Sequence, residues 1–139
     1  MPKLLVGTQG KVVEAVVDED GAWLPSVPVI SVMPAVGDLW RVLAVLLAPP
    51  VTAHAVARYA GTALSMQAVK LSASQVAAIP LPTVEEPWAE AANVVRRAQA
   101  DAGARPALLR EAGALMCAAY EVDADTVLPW WEDRLRKRR

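Results

Sequence analysis

Prolines and glycines cut most of the first 82 residues of this chain into short segments. Pro25 and Pro28, Pro49 and Pro50, then Pro80 and Pro82 each fix a backbone angle and remove an amide donor, while Gly7, Gly10, Gly21 and Gly61 allow tight turns between them. The apolar stretches that can be read among these marks are three to about ten residues long, roughly the lengths of strands and short helices. After Pro82 the punctuation thins and the composition shifts to Ala, Arg and Glu, which suits longer helices.

Read between those marks, residues 3–6 form a short apolar strand and the Val-rich stretch 11–17 a second, separated by a loop at Gly7 to Gly10. Asp18-Glu19-Asp20-Gly21 is turn chemistry, so 22–24 is expected to pair back as a hairpin. Another strand is expected over 27–33. Asp38 is placed to cap a helix running to Ala48, with Leu39, Trp40, Leu43, Leu46 and Leu47 on one apolar stripe. Pro49-Pro50 ends it. A second helix is expected over 51–60, closed by Gly61, then a strand over 66–71. Ser72 and Gln75 form a capping box for a short helix over 73–78.

In the last third, Thr83 and Glu86 read as a further capping box opening a helix over 85–102, with Gly103 closing it. Pro106 starts another, in which Leu108, Leu109, Ala112, Leu115, Met116 and Ala119 share a face. The two make a helical hairpin. A last helix is expected over 130–137, ending in basic residues that suit a helix C-terminus. The fold class implied is α+β: a small, mainly antiparallel sheet packed on helices, followed by a C-terminal helical hairpin. Residues 1–82 form the α+β domain and 83–139 a helical extension packed on it.

Composition narrows the function by exclusion. At 139 residues the chain can bury one core. Its longest apolar run, 42–50, falls well short of the roughly 20 residues a bilayer span needs, and the N-terminus has no secretion signal, so a cytoplasmic address without membrane contact is expected. One His, one Cys and no ligand cluster leave zinc chemistry and Cys/His nucleophilic catalysis without their parts. Neither a phosphate-cradling GxxxxGK[ST] loop nor a GxGxxG turn is present. His54 has no acidic residue at helical spacing to orient it, Cys117 reads as a small core residue, and Asp18 to Asp20 read as a solvated turn.

The net charge of −1 does not suit a free-standing basic nucleic-acid binder. Residues 1–82 balance five basic side chains against five acidic ones, and five of the last six residues, 134–139, are basic. A DNA reader of this composition would take phosphate affinity from a partner.

Three segments, taken in order, carry a resemblance: Pro2-Lys3-Leu4-Leu5-Val6-Gly7-Thr8-Gln9, then Asp38-Leu39-Trp40-Arg41-Val42-Leu43-Ala44-Val45-Leu46-Leu47-Ala48-Pro49-Pro50, then Lys70-Leu71-Ser72-Ala73-Ser74-Gln75-Val76-Ala77-Ala78-Ile79-Pro80-Leu81-Pro82. Their order and spacing resemble the specificity domain of type I and type II adenine-N6 DNA methyltransferases of restriction-modification systems. In that family a Pro-Lys-apolar strand, a helix ending near Asn-Ser-Pro and a final L-S-x6-I-P-L-P segment recur. The resemblance spans roughly residues 2–100. Leu47-Ala48 replaces the usual Asn-Ser, and the catalytic Asn-Pro-Pro-Tyr and the glycine-rich S-adenosylmethionine loop, which lie upstream in the family, are absent.

The resemblance implies a target-recognition module, a truncated or split C-terminal piece, that holds no cofactor. S-adenosylmethionine would bind a separate catalytic domain or subunit, and double-stranded DNA would be the shared partner. Direct readout needs amide, hydroxyl, Lys or Arg groups that reach base edges, and two polar segments offer them: Thr8, Gln9 and Lys11 in the first, and Arg58, Thr62, Ser65, Gln67 and Lys70 in the second. The first set also describes an ordinary polar hairpin loop, and the second a solvent-facing linker. The alternative function is a subunit-docking helical module that uses the Ala-rich hairpin and Trp130-Trp131, while Trp40 and Trp88 belong to helix faces in the core. Convergence of the two polar segments would favour DNA reading; scattered segments beside an exposed apolar helix would favour docking.

Overall fold

The computed structural model describes residues 3–7, 9–10, 12–20, 29–32, 38–59, 69–70 and 72–136. The chain begins with β1 (Lys3–Gly7), β2 (Gln9–Gly10), β3 (Ala15–Asp18) and β4 (Val29–Val32). There follow α1 (Leu39–Leu47), α2 (Pro49–Tyr59), β5 (Val69–Lys70) and α3 (Ala73–Ala77), then α4 (Glu85–Ala100), α5 (Arg105–Ala119) and α6 (Ala124–Arg136). The fold is α+β.

β1 is the central strand of an antiparallel sheet ordered β3-β1-β4, with Leu4 opposite Val17 and Val32, and Val6 opposite Ala15 and Ile30. Side chains alternate across a strand, so Leu4, Val6 and Val17 fall on one face and are buried against the helices. At the outer edge of β3, the Gln99 side chain behaves like a further strand. Its Oε1 accepts from the Val17 amide at 2.9 Å and its Nε2 donates to the Val17 carbonyl at 2.7 Å. A carboxamide on α4 thereby satisfies one residue of an edge that would otherwise invite pairing with another chain.

α1 forms where the sequence places its stripe. Asp38 accepts from the Trp40 amide at 2.8 Å, and Leu43 and Leu46 are buried beside Leu4 in the core. Full burial of a leucine contributes about 2 kcal/mol. Pro49-Pro50 does more than stop α1: α2 starts at Pro49 itself, since first-turn amides have no intrahelical acceptor and proline's missing donor costs nothing there. Gly113 of α5 sits so close to Pro49 and Leu128 that a Cβ would lie 3.1 Å from a side-chain carbon of each, so α2, α5 and α6 meet at this glycine.

α4 and α5 form the expected hairpin, and Ala91, Val94, Val95, Ala112, Met116 and Ala119 belong to the same hydrophobic core as Leu4 and Leu43. α1 and α4 are further locked by aromatic and charged groups. The Trp88 indole donates to the Arg41 carbonyl at 3.0 Å, Arg41 lies over the Trp88 ring and pairs with Glu85, and Arg96 lies over Trp40. Both tryptophans are half-buried against the core, as their helix faces predict.

Several expected boundaries are corrected. Thr83 does not cap α4, whose N-cap is Val84 without a side-chain bond. The Thr83 hydroxyl instead bonds Glu121 Oε2 at 2.7 Å, and the amides of Thr83 and Val84 both reach the Ala119 carbonyl. α4 ends at Ala100, two residues before the expected 102, and Asp101 takes over by accepting from the amides of Gly103 and Ala104. α6 begins at Ala124 rather than near 130, because Asp123 accepts from the Asp125 amide and the Thr126 hydroxyl, and Pro129 lies inside the helix. The second strand forms over Ala15–Asp18 instead of 11–17. The hairpin return at 22–24 lies outside the described residues.

Candidate nucleic-acid interface

The two polar segments nominated for DNA contact meet in a two-stranded antiparallel ladder. β2 pairs with β5 so that Gln9 is opposite Lys70 and Gly10 opposite Val69. Gln9 is therefore a strand residue, where the sequence pattern gave a loop, and its register partner is Lys70. β5 lies against α2, whose last turn carries Arg58. Three of the eight nominated residues, Gln9, Arg58 and Lys70, thus belong to one assembly of β2, β5 and α2. Thr8, Lys11, Thr62, Ser65 and Gln67 lie outside the described residues.

The assembly is anchored from below by a residue that the sequence pattern did not single out. Thr52, on the buried side of α2, is fully enclosed, and its Oγ1 accepts from the Val13 amide at 3.0 Å. One residue further on, the Glu14 carbonyl accepts from the Gly7 amide at 2.9 Å. The excursion that contains β2 is therefore closed at its base and tied to α2. A lone hydroxyl among Val51 and Ala55 on the apolar face of a helix is the signal that marks Thr52 in the sequence.

Elsewhere the described residues offer little polar chemistry. A cavity of about 650 Å³ opens beside β3, walled mainly by Leu5, Val16, Leu43, Val95, Leu109 and Trp131. Its polar wall groups are already engaged, Gln99 with Val17 and Arg105 with the carbonyls of Ala98 and Gln99 at 2.9 and 3.0 Å. The Trp131 indole nitrogen has no hydrogen-bond partner among the described residues, but it is out of reach of a water-sized molecule and so is shut off from the cavity's open space. His54 is half-buried and makes no hydrogen bond among the described residues. No group of three His, Cys, Asp or Glu side chains among the described residues is placed to hold a metal ion.

Burial sets the strongest proton shifts. Cys117 is fully enclosed in α5, and desolvation, with Asp123 adding a smaller unfavourable charge, pushes its thiol up to about 11. Desolvation also raises the Tyr120 phenol, whose hydroxyl donates to the Pro80 carbonyl at 2.6 Å, and lowers the Arg134 guanidinium beside Trp130. Of the tandem tryptophans, Trp131 is buried, whereas Trp130 is half-exposed with Arg134 lying over its ring at 5.1 Å. The large apolar residues exposed among those described are Val16, Leu81 and Val122. No single helix among the described residues is long and apolar enough to cross a membrane. The apolar pair Leu39–Leu47 and Pro49–Ala57 bends by 57°, and much of α1 is buried in the core.

No family model, curated protein or solved structure matches this chain.

Proposed function

We propose that this chain is a DNA-reading module, the target-recognition part of an adenine-N6 DNA methyltransferase, without catalytic chemistry of its own. The observation that carries the reading is the β2–β5 ladder, which brings Gln9 and Lys70 into register from two segments nominated separately for their polar groups. A two-stranded ribbon is narrow enough to enter the major groove, where glutamine pairs with adenine N6 and N7, and lysine with guanine O6 and N7. In this reading S-adenosylmethionine binds a catalytic partner, which extracts the adenine from the stack and methylates it. The near-zero net charge fits a module that binds DNA by itself only at low salt and takes its remaining phosphate affinity from that partner. The resemblance over residues 2–100 supports the assignment to adenine-N6 methyltransferases.

The test is binding of the purified chain to a random pool of duplex DNA at low and moderate salt, with a Gln9→Ala, Lys70→Ala double variant alongside. Binding that weakens with salt, and that drops about tenfold or more in the double variant, supports the reading. Absence of binding at low salt, or binding indifferent to the two substitutions, overturns it and favours the subunit-docking alternative.

A further inference from the structure

We infer that Thr52 is a positioning residue that fixes the β2–β5 ladder on α2, and so sets where the Gln9–Lys70 pair stands; the DNA-facing half of this inference rests on the function proposed above. Apart from Asp18, Thr52 is the only polar residue in the buried set of the described residues, and none of its surface is exposed. Its Oγ1 serves the Val13 amide, 39 positions away in sequence and itself in a buried residue. A backbone amide removed from water needs an acceptor, and Thr52 supplies it.

The placement gives this bond consequences beyond its own neighbourhood. β2 lies within an excursion whose two ends are held at neighbouring points, by the Gly7–Glu14 backbone bond and by the Val13–Thr52 bond. β5, the partner of β2, lies against the same helix that carries Thr52. Both strands of the ladder are therefore referenced to α2, one by packing and the other by a single hydroxyl. Among the described residues, loss of that hydroxyl leaves the Gly7–Glu14 bond, the two-residue ladder and the burial of Val12 and Val13 to hold β2, none of which is a polar contact between β2's segment and α2. Thr52→Val removes the acceptor while keeping the side chain's shape, and Thr52→Ser keeps the acceptor while removing a methyl group.

Amide hydrogen exchange on the full chain tests the positioning. In Thr52→Val, protection across residues 9–13 and 69–70 is expected to fall by about tenfold or more while α4 and α5 keep theirs, and Thr52→Ser is expected to restore it. Loss spread evenly over all elements, or protection of the ladder unchanged in a folded Thr52→Val protein, overturns the inference. Selection from a random duplex pool then tests the consequence. Thr52→Val is expected to lose about tenfold in preference for the selected sequence while the slope of log affinity against log salt changes by no more than about 1, because Lys70 is the one cation of the displaced pair. An unaltered preference in Thr52→Val overturns the inference. If the unaltered chain binds no DNA but the exchange result holds, the positioning stands and the DNA-reading function falls.

Discussion

Gln9 and Lys70 stand directly opposite each other in the β2–β5 ladder, so two polar residues from distant segments are paired in register in a ribbon two strands wide. Their chemistry predicts different losses on substitution. Lys70→Ala removes one cation, which lowers the slope of log affinity against log salt by about 1 if the residue neutralises a phosphate. Gln9→Ala leaves that slope unchanged and relaxes discrimination at one base position by about 1–3 kcal/mol. Salt titrations of the two single variants on one selected duplex check both; a common loss that is independent of sequence would reduce Gln9 to a phosphate contact.

The ion pair between Lys3 and Asp18 is held in a nearly enclosed site, with side chains 12% and 5% exposed at 3.0 Å. It joins the first residue of β1 to the last of β3, directly opposed in the ladder. Lys3→Met takes the Lys3 countercharge from a buried carboxylate and is expected to cost up to about 3–5 kcal/mol, less by whatever the other contacts of Asp18 supply. The double replacement Lys3→Met, Asp18→Leu is expected to recover most of that, because the desolvation penalty disappears with both charges. Urea unfolding of the single and double variants gives the comparison, and equal losses in both would show that Asp18 is held mainly by its other contacts.

Where the fold was legible in the sequence, the signal was local. Asp38 and Ser72 cap the helices they precede, with the Ser72–Gln75 capping box complete, because caps depend only on residues two or three positions apart. The α4–α5 hairpin follows from an apolar period and a glycine. The candidate site was legible only as two lists of polar residues. A two-residue strand such as β2 has no periodicity to read, and its pairing with β5 depends on chain closure across α1 and α2. Thr83 shows the opposite failure. It has the capping-box spacing, but the α5 C-terminus offers its hydroxyl stronger partners, so tertiary contact overrides the local pattern.

α5 ends in a left-handed residue that is not glycine. Glu121 has φ 57°, the Glu121 amide donates to the Ala118 carbonyl and the Val122 amide to the Cys117 carbonyl, the paired bonds of a Schellman cap. A side chain in this region costs about 1 kcal/mol relative to glycine, and here the Thr83 hydroxyl bond to Glu121 Oε2 offsets part of it. Glu121→Gly is therefore expected to change stability by less than about 0.5 kcal/mol in the unaltered chain and to stabilise a Thr83→Ala background by about 1 kcal/mol. Thermal melts of the four proteins measure the difference. An equal effect in both backgrounds would mean that the hydroxyl bond contributes nothing.

Alkaline pH tests the enclosure of the C-terminal helices. The Cys117 thiol rises from an ordinary value of 9.0 to about 11 in the folded chain, so the unfolded chain loses this proton first. The stabilisation that comes from keeping the thiol neutral is complete below pH 9 and is lost as pH climbs from 9 toward 11, at up to about 1.4 kcal/mol per unit. Tyr120 shifts in the same direction from 10.0, so its loss adds to that of Cys117 above pH 10. Urea midpoints are expected to decline over this window, and Cys117→Ala to decline less steeply between pH 9 and 10, where the phenol contributes little. The same burial makes the thiol slow to react at pH 8, since few molecules carry a thiolate and fewer expose it. Labelling by a disulfide reagent is then expected to follow the unfolded fraction through a urea titration, whereas rapid labelling of the folded chain would mean that α5 opens locally around Cys117 without global unfolding.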